Sequence, residues 1–190
     1  AERATFQIQV HSSGPAYAQY LYTDVQGTRA AGGGSATIGY QGGATGSNTH
    51  QYSLDAPNVV KNGSVLSVVD RDALVFTPHL PGAWIEISGT GTPLNLTDDG
   101  EVDIPTTVGN TLLAAGVARV GSNGGVRFNG VGTDLGFTNA AIPSAAAFNG
   151  DQTLLPFWDD VNTVGGTVGN IYWREVGNTL VVQWENVGFF

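Results

Sequence analysis

Apolar side chains in this chain recur at every second position, in short runs broken by Gly, Asn, Asp and Pro. In residues 5–10, Phe6, Ile8 and Val10 fall on one face and Thr5, Gln7 and Gln9 on the other. A period of two fits an extended strand with one buried face and cannot lay a stripe along a helix. The same reading predicts strands over 18–22, 36–40, 51–54, 64–69, 84–88, 117–120, 125–128, 170–175 and 179–185, most of them rich in Val, Ile, Tyr, Phe and Trp. Gly177-Asn178 between two such runs predicts a tight hairpin, because both residues tolerate positive φ; Asn62-Gly63 and Asn123-Gly124 carry the same signal. The best helical window, 139–148, is interrupted by Pro143. The expectation is an all-β, antiparallel β-sandwich of jelly-roll or immunoglobulin-like layering, with at most a turn or two of helix.

Composition excludes several function classes. The 190 residues carry one lysine (Lys61), six arginines, 16 acidic residues and a net charge of −9, which suits neither the phosphates of nucleic acid nor an anionic membrane surface. No run is apolar enough for membrane insertion. Without cysteine there is no disulfide framework, thiol nucleophile or Cys-ligated metal, so burial and hydrogen bonding must supply the stability. The lysine-poor, acidic, Thr/Asn/Gly-rich surface suits an extracellular or cell-surface location.

Catalytic constellations are missing. There is no Gly-x-Ser-x-Gly elbow, and His11, His50 and His79 stand apart with no metal-ligand spacing. Asp159-Asp160, Glu175 and Glu185 adjoin tryptophans, but turn capping accounts for the aspartates more simply than glycoside hydrolysis does. The expectation is therefore a protein that is not an enzyme and needs no cofactor, with calcium as the one candidate ion. The acidic run Asp98, Asp99, Glu101 and Asp103 is the densest supply of oxygen ligands, although it lacks the spacing of an EF-hand loop. Trp158 and Trp173 are candidate platforms for glycans.

An ordered series of segments carries a family likeness. Ala83-Trp84-Ile85-Glu86-Ile87-Ser88-Gly89, Leu94-Asn95-Leu96-Thr97-Asp98-Asp99, Val120-Gly121-Ser122-Asn123-Gly124, Leu155-Pro156-Phe157-Trp158-Asp159-Asp160 and Asn170-Ile171-Tyr172-Trp173-Arg174-Glu175 lead into 180–187. The series resembles a β-rich module of large secreted and surface-anchored bacterial proteins, and more loosely the nidogen-type extracellular domain. In that module the segment like 181–187 is followed by strands like those of residues 4–10, 18–25, 35–41 and 62–65, which here stand at the other end of the chain. The resemblance thus implies a module with its halves in circularly permuted order: 1–69 its second half, 70–82 a linker, 83–190 its first half. It implies a chain that begins at an arbitrary point of a repeat. The two halves then either pack within one chain or complete the sandwiches of neighbours. The second case makes the partner another copy of the chain, as a head-to-tail homopolymer or tandem repeat, with Thr5, Phe6, Gln7, Ile8, Gln9, Val10, Phe189 and Phe190 at the interface. The function expected is a structural subunit or repeat of a bacterial surface filament, sheath or giant adhesin. The alternative is a carbohydrate- or protein-binding accessory domain of a secreted hydrolase.

Overall fold

A computed structural model describes residues 2–25, 27, 31–42, 48–70, 73–78, 84–128, 135–148, 151–163 and 169–189. In chain order the strands are β1 (Arg3–His11), β2 (Ala18–Asp24), β3 (Thr37–Gly42), β4 (His50–Leu54), β5 (Ser64–Asp70), β6 (Ala73–Pro78), β7 (Thr92–Pro93), β8 (Glu101–Thr106), β9 (Gly116–Gly121), β10 (Gly125–Phe128), β11 (Gln152–Trp158), β12 (Val161–Asn162), β13 (Asn170–Val176) and β14 (Thr179–Phe189). One helical turn, α1 (Ala145–Phe148), precedes β11. All pairings are antiparallel: one sheet runs β6-β5-β2-β1-β14-β13-β7 with β12 also on β14, the other β4-β3-β11-β10-β9-β8. The expected β-sandwich is what the chain forms.

The two halves of the chain meet along one strand pair in each sheet. Residues 2–78 supply β1 to β6 and residues 84–189 supply β7 to β14; among the described residues, only the pairings of β1 with β14 and of β3 with β11 join them. The β1–β14 seam runs from Arg3 opposite Gly188 to His11 opposite Thr179. Its irregularity lies between Ala4 and Phe6, where β14 carries an extra residue. Asn186 sits there at φ 56°, and the Thr5 hydroxyl accepts its freed amide at 2.9 Å.

Alternation places the apolar face of each strand between the sheets. Phe6 stacks on Trp184 at 5.1 Å in its own sheet and on Phe157 at 5.5 Å in the other, all three fully buried. Polar tips that enter this layer find carbonyls across it: Tyr20 donates to Gly39 O, Tyr22 to Pro156 O and the Trp184 indole to Gly121 O. Burial pushes both tyrosine hydroxyls well above their ordinary pKa, so they remain neutral donors. Gly124, at φ +81°, turns β9 into β10 so close to β11 that a Cβ would lie 2.0 Å from Phe157 O; only glycine fits.

Three departures from the sequence reading have physical causes. Residues 84–88 alternate but form no strand; they lie over the outer face of the first sheet, where glutamines replace a neighbouring backbone. Gln7 donates to Ile85 O and accepts from Ile85 N, while Gln183 Oε1 accepts from Ile87 N. This strap explains why Gln7, Gln9 and Gln183 are buried on a face expected to be polar and open. The stretch 70–82, expected as a linker, holds β6 paired along β5. The second part of the acidic run, Glu101 and Asp103, which the sequence reading placed in no strand, lies in β8, an edge strand on which Asp103 stays at the surface while Glu101 turns inward to Arg127.

Removing the Phe6 ring empties the contact between both sheets at the seam. Phe6→Ala is expected to cost about 3–5 kcal/mol, the range for a buried aromatic truncated to alanine, measured by urea unfolding; a cost below about 1 kcal/mol would show that the stack is not the anchor described.

Candidate functional site

The acidic residues do not gather as the sequence suggested. Glu101 is drawn inward by Arg127, a fully buried guanidinium, and also accepts the Leu135 amide. Asp103 pairs with Arg119 through bonds of 2.6 and 3.0 Å, and that cation is the first reason its carboxyl is held below the usual range. Glu101 and Asp103 are therefore counter-ions and do not share a ligand sphere with Asp98 and Asp99. Asp160 takes their place: one oxygen each from Asp98, Asp99 and Asp160 lie within 4.8 Å of one another. Burial and then the charges of Asp99 and Asp160 push the Asp98 carboxyl up, and Asn123 donates to Asp99. Three carboxylates are about half of the six to eight oxygens that calcium takes.

Trp158 is not a platform. It is buried, donates its indole N–H to Gly136 O at 2.9 Å and packs edge-on against Phe148 at 4.9 Å. Its position at the end of β11 points it into a small second core of Leu135, Ile142, Phe148 and Leu155. Thr5 to Val10 are committed within the chain to β14 on one side and β2 on the other, and Phe189 packs its ring against Phe157. Phe190 lies outside the described residues, as does His79. His11 sits half-buried between Thr179 and Gln19, and desolvation lowers its pKa.

Trp173 alone of the two expected platforms opens to solvent. It lines a crevice of about 650 Å³, where the β7–β13 edge of one sheet faces the β8–β9 edge of the other. Thr90, Thr92, Pro105 and Thr107 line it too, with Arg174 and Glu175. Glu175 clamps the two edges together. Its Oε1 accepts from the Thr106 hydroxyl and the amides of Thr107 and Val108, its Oε2 from the Thr107 hydroxyl. Burial opposes the charge, but these bonds outweigh it and hold the carboxyl below the ordinary glutamate range. Among the described residues Glu175 is the one carboxylate that lines the crevice. The sequence flagged Trp173 but not the threonines or Pro105, which come from segments 66 to 83 residues away and meet it only in the fold.

No family model, curated protein or solved structure matches the chain. Among the described residues, no helix is long and apolar enough to cross a membrane.

The strap introduces a pH dependence. Desolvation disfavours charge on Glu86, but bonds from Ser88, Gln183 and Trp84 bring its pKa down to about 2 from an ordinary 4.5. A depressed carboxyl contributes stability that is complete above the unfolded value and lost as pH falls through the folded one. Glu175 acts in the same direction; Glu185, raised mainly by burial, acts oppositely as it takes up its proton. The melting temperature should thus fall between about pH 4.5 and 2, with a shallower decline for Glu86→Gln, which should also melt lower at pH 7. Parallel curves for the two proteins would refute the assignment to Glu86.

Proposed function

We propose that this chain is a non-enzymatic extracellular structural subunit, a repeat of a bacterial surface filament, sheath or adhesin, in which halves of neighbouring copies complete each other's sandwich. The observation that carries the reading is the way the halves meet, through β1 with β14 and β3 with β11 and, among the described residues, no other strand pair. Either half by itself would leave an unpaired edge in each sheet and one uncovered apolar face, and such edges recruit another chain. An exchange of halves between copies recreates the same two seams, the same aromatic stack and the same register. The contacts are then equal in the closed chain and in the polymer. Concentration, together with the short connection through residues 79–83, selects between them. The order of the motifs, in which the N-terminal strands continue the C-terminal ones, supports the same arrangement.

The absence of cysteine allows a direct test. His11 and Thr179 are directly opposite across the β1–β14 seam, a spacing of about 4.5–5.5 Å between Cα atoms that a disulfide can bridge. His11→Cys with Thr179→Cys, refolded at high concentration and oxidised, should give a ladder of covalent oligomers on a non-reducing denaturing gel, with filaments by negative stain. Exclusive recovery of the 19.7 kDa monomer at every concentration would overturn the reading.

A further inference from the structure

We infer that the crevice between the β7–β13 and β8–β9 sheet edges is a binding site for a neutral glycan, with the indole of Trp173 stacking on a pyranose ring. The inference does not depend on self-assembly, because the crevice lies away from both seams.

The tryptophans themselves make the distinction. Trp158 and Trp184 are buried and donate to carbonyls, and Trp84 donates to Glu86. Trp173 is partly exposed, and among the described residues its indole N–H has no hydrogen-bond partner. A large aromatic with one wet side and an unused donor is an incomplete contact. The C–H face of a pyranose, weakly positive, matches the negative face of the ring, and Pro105 supplies an apolar surface on the other sheet edge.

The polar groups around this apolar wall are those that read hydroxyls. Thr90 and Thr92 are exposed, and no side-chain bond engages their hydroxyls among the described residues. Arg174 is likewise exposed and without a hydrogen bond or ion pair among them, so its donors are open. Glu175 complements it: Oε1 already accepts three bonds, whereas Oε2 accepts one, which leaves an acceptor site for a sugar hydroxyl. The volume of about 650 Å³ is that of a small-ligand cleft and holds a short oligosaccharide. The charge of Glu175 and the chain's net −9 disfavour uronate or sulfated glycans.

The test is an array of immobilised β-glucan, mannan, xylan, galactan and chitin oligomers, with polygalacturonate and sulfated oligomers alongside, probed with the full chain. The strongest neutral binder is then titrated calorimetrically. Binding to at least one neutral glycan is expected, weakened at least tenfold by Trp173→Ala and severalfold by Arg174→Ala. Because Trp173 also packs on the core, Thr90→Tyr provides a second arm: it fills the crevice from an exposed loop position and should abolish binding with the melting temperature unchanged. Binding of no neutral glycan, binding of the acidic oligomers alone, or binding indifferent to Thr90→Tyr and Arg174→Ala would each overturn the inference.

Discussion

The pairing of β1 with β14 is the contact on which the rest of the structure depends. It closes the first sheet across the middle, joining residues far apart in the chain, and it sets opposite fates for its two faces. On the inner face Phe6 stands opposite Trp184, and the two receive Phe157 from the other sheet. On the outer face Gln7 stands opposite Gln183, and the two amides receive the 84–88 strap. A slip of one residue would exchange the two sets, placing amides in the core and aromatics under the strap. Register is thus defended from both sides of the sheet.

The few charges in the chain are used chiefly as hydrogen-bond acceptors and counter-ions. Glu86 holds the strap, Glu175 holds the edge of one sheet to the other, and Glu101 neutralises the buried Arg127. Carboxylates in these roles are depressed or paired, which leaves Asp98, Asp99 and Asp160 as the group that repels itself. The absence of cysteine makes such acceptor work more consequential, since no covalent link backs it up.

The assembly reading and the glycan reading occupy different parts of the sandwich. The seams lie in the interior of both sheets, whereas the Trp173 crevice opens where both sheets end at β7 and β8. A surface polymer of this kind would present one such crevice per copy. Weak binding at each would then add across the array, since linked sites raise the effective concentration of the next.

Alternation by itself determined that the chain is an antiparallel sandwich, and it located most strands, together with the Gly177-Asn178 hairpin, where Val176 pairs with Thr179. That follows because the period of two is a local property, written into each run by which side chains can be buried. The sequence also picked out Trp173 as a side chain worth exposing. It missed β8, where Glu101 and Asp103 resemble a loop, and misread 84–88, because side-chain amides that stand in for a neighbouring strand leave no periodic trace. Trp158 and Trp173 look alike as Trp residues near an acid, yet one is sealed beneath Gly136 and the other lines a crevice. Only the tertiary structure decided these, because burial, ion pairing and the meeting of two sheet edges depend on residues brought together across the chain, and no local pattern records them.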